Sequence, residues 1–213
     1  MATRLKQIAI CLLAVFLLHA VVLCSGPENR EEESGYPAGA LRYLSESNQR
    51  GKGISPFDDL VKRYAAGIGM DWRLLSAIIW HESQYNAYAV SPVGAKGLMQ
   101  IRDVAAEHYG YPADELFNPA MNLRVGTMLL DDLMRSFRRE ALDSADVIRF
   151  VLASYNSGGG ALSRRREEAV EAGLDPNKWE DVAAAYRLVD NSTTPAYIDA
   201  VEATYQRYCE RYR

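Results

Sequence analysis

Residues 71–86 read DWRLLSAIIWHESQYN, and this stretch decides how the rest of the chain is interpreted. Asp71 is of a residue type that caps helix N-termini, and apolar side chains follow it at helical spacing. Leu75, Ile78 and Ile79 stand at positions i, i+3 and i+4, and Glu82 stands at i+7. The spacing predicts an amphipathic helix whose buried stripe includes a carboxyl group.

A carboxyl group on a buried stripe has two interpretations. Burying a charged carboxylate costs free energy unless the group is paired or protonated. Desolvation would raise the pKa of Glu82 and keep a proton on it near neutral pH, the state that a general acid requires. The alternative is that Glu82 lies at the frayed end of the helix and points into solvent beside Ser83 and Gln84. The stripe by itself favours this second interpretation.

Two common hydrolase mechanisms have little support in the sequence. His81-Glu82 resembles the start of the zinc-protease motif H-E-x-x-H, but Tyr85 occupies the position of the second histidine. No G-x-S-x-G motif for a serine nucleophile is present, and no C-x-x-C pair suggests a metal site. We therefore expect neither a metal nor a cofactor.

From Ile54 onward the chain has helical patterns separated by Gly, Pro and Asn. No long β-branched alternation is present, although a small hairpin could lie within residues 88–99. The sequence predicts a mainly α fold, with a single helical domain over residues 54–213. The predicted helix starts are Ser55-Pro56, Asp71, Asn118-Pro119, Asp143 or Ser144, and the region after Pro195.

The N-terminus has the features of an export signal. Arg4 and Lys6 precede an apolar run from Ile8 to Leu23, which is short for a membrane-spanning helix. Residues 1–24 are therefore predicted to be a cleaved signal, a lipoprotein signal with Cys24 lipidated, or an uncleaved anchor. Residues 25–53 are polar and rich in Glu, and are predicted to be a linker. The protein is expected in the periplasm or cell envelope.

Composition excludes some partners. The 213 residues are 48% hydrophobic and 24% charged, and 24 Lys+Arg against 28 Asp+Glu give a net charge of −4. This mildly acidic balance argues against sequence-independent binding of nucleic acid. The cysteines, Cys11, Cys24 and Cys209, are too few for a disulfide framework. A monomer is expected.

Three ordered blocks carry a resemblance to a known family, and two further stretches indicate a subgroup. ESQYN at 82–86 with SPVGAKGLMQI at 91–101 closely resembles the signature of lytic transglycosylases of the soluble-type (SLT) domain family. SYNSG at 154–158 is similar to the family's A-Y-N-x-G element, and NPAMNLRVG at 118–126 resembles its N-P-x-x-N-L-x-x-G helix start. SPFDDL at 55–60 and DWRLL at 71–75 look like the subgroup related to membrane-bound transglycosylase F. The chain departs from the family pattern at Asn86-Ala87, where Asn-Pro is common, and at Ile101-Arg102-Asp103, where Met-Pro is common.

The resemblance implies a lysozyme-like α fold and cleavage of the β-1,4 bond between N-acetylmuramic acid and N-acetylglucosamine in peptidoglycan. It implies that Glu82 is the catalytic acid/base. It also implies a set of residues that line the substrate groove around the bond: Ser91, Met99, Gln100, Tyr155 and Asn156.

A single carboxyl group suffices if the substrate assists. Ordinary glycosidases use two carboxyl groups, whereas in a substrate-assisted route the N-acetyl oxygen of the sugar stabilises the oxocarbenium-like centre. The blocks at 82–101, 118–126 and 154–158 contain no acid besides Glu82. We therefore expect Glu82 to protonate the glycosidic oxygen and then to take the proton of the muramoyl 6-hydroxyl, which closes onto C1 and gives a 1,6-anhydromuramoyl product. A hydrolytic muramidase and a non-catalytic peptidoglycan-binding scaffold remain the alternatives.

Several of these residues also have simpler structural interpretations. Ser91 and the glycines that follow it could form turns, Met99 could be core filler, and Tyr155-Asn156 could mark a helix end. Tyr155 continues a buried stripe, so its hydroxyl is expected to reach toward Glu82. The basic run 164–166 is predicted to be a solvated helix face, with contact to anionic wall polymer as the alternative.

Overall fold

A computed structural model describes residues 53–140, 142–188 and 193–212. In these residues the chain forms eight α-helices and one 3-10 helix, joined by turns, and no strand longer than an isolated bridge. The prediction of a mainly α fold is confirmed. In chain order the elements are α1 (Asp58–Gly67), α2 (Trp72–Ser83), α3 (Asp103–His108), the 3-10 helix (Ala113–Phe117), α4 (Pro119–Phe137), α5 (Ser144–Ser157), α6 (Gly159–Glu171), α7 (Trp179–Leu188) and α8 (Thr194–Arg211).

The predicted signal or anchor, residues 1–24, lies outside the described residues, as does the predicted linker up to residue 52. Among the helices that the structure describes, none combines the length and the apolar character needed to cross a bilayer.

Side-chain caps set three helix starts as predicted. The Asp71 carboxylate accepts a hydrogen bond from the Arg73 amide at 2.9 Å, and Asn118 caps α4 with Pro119 at the first helical position. Asp143, not Ser144, caps α5 by accepting from the Ala145 amide at 3.2 Å. Each cap satisfies an amide that a helix N-terminus leaves unpaired.

The first helix begins later than Ser55-Pro56 predicted. The Asp58 carboxylate turns back and accepts hydrogen bonds from the amides of Ile54 and Ser55, both at 2.8 Å. These bonds fold residues 54–57 into a turn, so α1 starts at Asp58.

The centre of the core is α2. Leu75, Ile78 and Ile79 are 0% exposed, and the helix packs against α1 on one side and α8 on the other. A second group of buried rings is centred on Phe150 of α5, which stacks on Phe137 and meets Trp179 edge-on at 5.8 Å. Burial of the aliphatic side chains fixes α2 between α1 and α8, and the aromatic group joins α4, α5 and α7.

Part of the basic run on α6 belongs to this core instead of a solvated face. The Arg166 guanidinium lies over the Phe150 ring, 5.2 Å from its centroid, and pairs with Glu140 at 2.7 Å. Arg165 pairs with Glu168 at 2.6 Å. The predicted solvated face is therefore wrong for these two arginines, because the helix packs against α5 and α7 along this side.

The hairpin predicted within residues 88–99 is reduced to two isolated antiparallel bridges. Lys96 pairs with Val90 on one side and with Ile101 on the other. Residues 88–101 form a folded loop beside the C-terminal end of α2, and most of the predicted site residues lie on or near this loop.

Candidate active site

Glu82 lies in the last turn of α2, where the helix leaves the core. Its side chain is partly buried, and Oε1 accepts a 2.7 Å hydrogen bond from the Tyr197 hydroxyl of α8. Burial raises the pKa of Glu82 to about 7, although the hydrogen bond from Tyr197 opposes the rise by stabilising the carboxylate. Glu82 therefore does not point into open solvent, and it exchanges a proton near neutral pH.

A second tyrosine lies near the same carboxyl group. The buried stripe predicts that the Tyr155 hydroxyl reaches toward Glu82, and Tyr155 does interact with the charge of Glu82. The hydrogen bond that the hydroxyl donates goes to the backbone carbonyl of Met99 at 2.6 Å. Burial and the charge of Glu82 both hold the pKa of Tyr155 well above its usual range, and the same causes act on Tyr197. Both phenols stay neutral and act as hydrogen-bond donors.

Asn122 of α4 fastens the loop that carries Met99 and Gln100. Its Oδ1 accepts from the Met99 amide, and its Nδ2 donates to the carbonyls of Lys96 and Leu116, each at 2.8 Å. Asn122 is 0% exposed, so these bonds form away from water, where they define the loop geometry strictly.

Glycines permit the close approach of this loop to α4. Gly97 has φ +74°, and a Cβ there would collide with the Asn122 amide and the Leu116 carbonyl. Gly126 of α4 faces the Met99 thioether, which would collide with any side chain at that position. Both positions therefore require the smallest residue.

Met99 itself is in the core. Its side chain is 0% exposed and fills the space above Gly126, so it does not line a surface that a ligand can reach. This corrects the predicted groove contact of the Met99 side chain; the backbone carbonyl of Met99 accepts the Tyr155 hydroxyl.

Gln100 and Ser91 are partly exposed on the loop. Gln100 has φ +51°, and its Nε2 donates to the carbonyls of Gly97 at 3.0 Å and Ala89 at 3.2 Å. Ser91 closes a turn: its Oγ accepts from the Ala95 amide at 3.0 Å and its own amide donates to the Ala95 carbonyl at 2.9 Å. The turn interpretation of Ser91 is therefore correct, whatever else the hydroxyl does.

Asn156 lies at the end of α5 and is exposed. Its Oδ1 accepts from the Thr194 hydroxyl at 3.0 Å, which joins the end of α5 to the first turn of α8. Tyr197 follows Thr194 by three residues, so this bond lies one turn away from the donor to Glu82.

Tyr197 is the site residue that the sequence did not reveal. Its place on the stripe of the last helix predicts a core residue, and 115 positions separate it from Glu82. The available signal was the phenol itself, because a buried tyrosine hydroxyl usually requires a hydrogen-bond partner.

Non-glycine residues with left-handed backbone flank the candidate site. Gln84 has φ +52° and Tyr85 has φ +63°, directly after the turn that carries Glu82, and Gln100 has φ +51°. Such conformations cost free energy and persist only where surrounding contacts enforce them. Tyr85 is held by its hydroxyl, which donates to the Ser76 carbonyl at 3.0 Å.

A cavity of about 640 Å³ lies at the opposite end of α2, and Glu82 does not line it. Its wall includes Asp71 and Leu74 of α2, Met134 of α4 and Ile148 of α5. Eleven residues of helix separate Asp71 from Glu82, or about 16 Å along the axis. The cavity is thus separate from the candidate site.

Comparison with known protein families finds one model that matches the chain over most of the candidate site. The family model described as "Transglycosylase SLT domain" matches residues 59–176, which include Glu82, the loop of residues 88–101, Asn122 and Tyr155. Tyr197 lies beyond the matched range.

Two bacterial relatives are similar to this chain over most of its length. A membrane-bound lytic murein transglycosylase F of Desulfosudis oleivorans is 34% identical over 160 residues, covering 73% of this chain and 34% of the relative. The protein of the same name from Marinobacter nauticus is 36% identical over 144 residues, covering 68% of this chain and 28% of the relative. The chain spans about a third of the length of such relatives.

Solved structures confirm the expected lysozyme-like transglycosylase fold. The 70 kDa soluble lytic transglycosylase of Escherichia coli superimposes with a TM-score of 0.58 at 28% identity, covering 75% of this chain and 25% of that one. Family match, relatives and fold agree: the chain belongs to the transglycosylase SLT domain family.

Proposed function

We propose that the protein is a lytic transglycosylase that cleaves the β-1,4 bond between N-acetylmuramic acid and N-acetylglucosamine in peptidoglycan. Family membership and the names of the relatives support the class of reaction. The observation that carries the proposal is the Glu82 carboxyl, whose pKa burial raises to about 7 while the Tyr197 hydroxyl donates to it. A group that titrates near neutral pH can serve first as an acid and then as a base.

In the first step, protonated Glu82 donates its proton to the glycosidic oxygen and the bond from that oxygen to C1 breaks. The N-acetyl carbonyl oxygen of the same sugar stabilises the positive charge that develops at C1. Glu82 is now a carboxylate, and the Tyr197 hydroxyl stabilises this charged form through its 2.7 Å hydrogen bond.

In the second step, the Glu82 carboxylate takes the proton of the C6 hydroxyl of the muramoyl residue, and O6 forms a bond to C1. The product is a 1,6-anhydromuramoyl end, and Glu82 is again protonated. No water is consumed, so the masses of the two products add up to the mass of the substrate.

The surroundings of Glu82 support this single-carboxyl route. Only burial and the Tyr197 hydrogen bond shift its pKa, so no second carboxylate among the described residues interacts with it appreciably. Asp103, an acid that follows the loop of residues 88–101, is paired with Lys96 at 2.7 Å. A retaining glycosidase would instead need a second carboxyl group about 5–5.5 Å away.

The groove would use polar groups that the fold leaves available. Gln100 commits its amide nitrogen to two backbone carbonyls, so its Oε1 is the atom offered to a sugar hydroxyl or acetamido N–H. Asn156 uses Oδ1 for Thr194 and offers its Nδ2. Ser91 retains a hydroxyl hydrogen that it can donate to a sugar. Tyr155 would form the side of the groove beside Glu82, and the backbone carbonyl of Met99 would keep the Tyr155 hydroxyl in place.

The biological setting follows from the substrate and the predicted N-terminus. We propose that residues 1–24 export the chain or anchor it to a membrane, that residues 25–53 are a linker, and that residues 54–213 form the catalytic domain. The protein would act as a monomer on glycan strands in the cell envelope.

The test is digestion of purified peptidoglycan sacculi, followed by mass spectrometry of the released fragments. Anhydro ends, one water lighter than hydrolytic ends, are expected from the wild-type protein, and no release is expected from Glu82→Gln. Glu107→Gln, an exposed acid of α3, is the matched control and should cleave normally. Hydrolytic ends would identify a muramidase, and binding to sacculi without release would identify a scaffold; either result contradicts the proposal.

A further inference from the structure

His81 precedes Glu82 on α2, and its ring is oriented toward α8. Its Nε2 lies 2.9 Å from the Thr204 hydroxyl oxygen, and the ring also donates a hydrogen bond to the backbone carbonyl of Ala200. Thr204 is 1% exposed, so the contact lies inside the interface between the two helices. The family-typical chemistry described above leaves this histidine without a role.

The groups that His81 contacts share a helix face with Tyr197. Ala200 and Thr204 follow Tyr197 by three and seven residues, a spacing that places all three side by side along α8. The His81 and Tyr197 rings also meet directly, with centroids 6.4 Å apart and planes at 77°. This distance and angle are those of a favourable edge-on aromatic contact.

We propose that His81 is a positioning residue, which sets the Tyr197 hydroxyl at hydrogen-bond distance from Glu82 by fixing α8 against α2. The inference rests on the proposed function, since it concerns the acid of that reaction. The two contacts are geometrically coupled because His81 and Glu82 are neighbours on α2, and their partners, Thr204 and Tyr197, both lie on α8. A lengthwise shift of α8 that broke the contact at Thr204 would also carry Tyr197 away from the carboxyl group.

The groups around His81 favour its neutral form, so the contact between His81 and Thr204 does not change while Glu82 gains or loses its proton. Burial lowers the pKa of His81, and the nearby Arg207 lowers it further, although the bond to the Ala200 carbonyl acts in the other direction. Arg207 donates to the same Thr204 oxygen at 2.8 Å, so a charged ring would face a guanidinium across one atom. The other titratable groups that face Glu82 are Tyr155 from α5 and Tyr197 from α8, and both are neutral.

The experiment measures the pKa of Glu82 directly, by a ¹³C NMR titration of its carboxyl carbon in the full-length protein. Glu82→Gln assigns the signal. The variants are His81→Gln, which removes the ring without changing charge, and Thr204→Val, which removes its partner with little change in shape. Because Tyr197 stabilises the carboxylate, Tyr197→Phe should raise the pKa of Glu82, and both other variants should raise it in the same direction by a smaller amount.

Two controls separate positioning from simple loss of stability. Thr127→Val deletes another buried threonine hydroxyl, which bonds the Leu123 carbonyl within α4, and it should lower stability without moving the pKa of Glu82. In a Tyr197→Phe background, Thr204→Val should add no further shift, because the residue through which it acts is gone.

An unchanged pKa of Glu82 in both His81→Gln and Thr204→Val would overturn the proposal, and so would a shift that persists in the Tyr197→Phe background. If His81→Gln fails to fold, the near-isosteric Thr204→Val decides the matter. The titration needs no substrate. A protein that leaves sacculi intact would therefore contradict the proposed function while still giving a result on the role of His81.

Discussion

The Tyr197 hydroxyl donates to Oε1 of Glu82 at 2.7 Å, from a helix that begins more than a hundred residues further along the chain. The bond opposes burial: burial favours the protonated acid, and the hydrogen bond favours the carboxylate that remains after proton transfer. The balance between them places the pKa of Glu82 at about 7, which is suited to a group that both gives and takes a proton.

Tyr197→Phe should therefore change the pH dependence of cleavage. In the proposed mechanism, activity needs protonated Glu82 in the first step and therefore falls as the pH rises through the pKa of Glu82. Without the hydrogen bond, which at a charged acceptor contributes about 1.5 kcal/mol, that pKa rises by up to about one unit. We expect the alkaline limb of the rate profile on soluble glycan strands to move to higher pH, with a lower maximal rate because the carboxylate loses its donor.

Tyr186→Phe is the control for this measurement. Tyr186 is also a buried tyrosine, but its hydroxyl pairs with Ser157 Oγ at 2.9 Å and does not touch Glu82. Its alkaline limb should match that of the wild type. A limb for Tyr197→Phe that stays in place or moves to lower pH would show that the phenol does not stabilise the carboxylate.

Glu82→Gln should make the folded protein more stable above neutral pH. The unfolded chain releases the Glu82 proton near the ordinary pKa of 4.5, but the folded chain holds it up to about 7. Stability from this group is therefore complete below 4.5 and is lost as the pH rises to 7. The variant avoids this loss, so its advantage should be absent in acid and reach about 3 kcal/mol in mildly alkaline solution.

Urea unfolding at a series of pH values measures this difference. The control variant Glu107→Gln removes the carboxyl group of an exposed residue. Its free energy of unfolding relative to the wild type should show no comparable change with pH. An advantage of Glu82→Gln that is equal at all pH values would mean that the carboxyl group is not desolvated in the folded state.

Local patterns predicted α2 correctly, but by themselves they favoured a Glu82 that points into solvent, whereas its side chain is partly buried. The stripe from Leu75 to Glu82 and the Asp71 cap depend on residues within one helix, and the structure contains both. No helix start was predicted for α3, α6 or α7. Only the basic run 164–166 of α6 was assigned to a helix, and α6 is highly polar and buries little beyond Leu162 and Ala169. Its place in the fold depends on ion pairs and ring contacts made with distant residues.

The site was less predictable than the fold because its geometry depends on long-range contacts. No local pattern links Tyr197 to Glu82, and the burial of Met99 depends on Gly126 in a different helix. The resemblance singled out Met99 and Gln100 as candidate groove residues, but it did not indicate that Met99 points into the core while Gln100 is partly exposed. Those orientations depend on the backbone at φ +51° and on the Asn122 bonds.

Asn122→Ala should be strongly destabilising. It leaves the buried Met99 amide and the carbonyls of Lys96 and Leu116 without their partner. An unpaired buried polar group costs about 1–3 kcal/mol, so we expect a loss of about 3 kcal/mol or more in urea unfolding. Activity should fall further than stability explains, because the freed loop carries the carbonyl that holds Tyr155.

The matched control is Asn118→Ala in the first turn of the same helix. Asn118 is exposed and caps α4, so its loss should cost about 1 kcal/mol and leave the activity of the folded protein unchanged. Equal losses for the two variants would contradict the role assigned to Asn122.

Gly126→Ala tests the contact between α4 and the loop of residues 88–101. In an open helix position, alanine stabilises relative to glycine by about 1 kcal/mol, and Gly67 at the end of α1 is such a position, with nothing within 4 Å of an added Cβ. At Gly126 the added methyl group would overlap the Met99 thioether, and Met99 is 0% exposed. Thermal unfolding should show Gly67→Ala more stable than the wild type and Gly126→Ala less stable by about 1–3 kcal/mol.

Because a displaced Met99 also displaces the carbonyl that receives the Tyr155 hydroxyl, Gly126→Ala should cleave glycan more slowly even where it is fully folded. A Gly126→Ala variant as stable and active as Gly67→Ala would mean that the loop does not pack on α4 as closely as the structure shows.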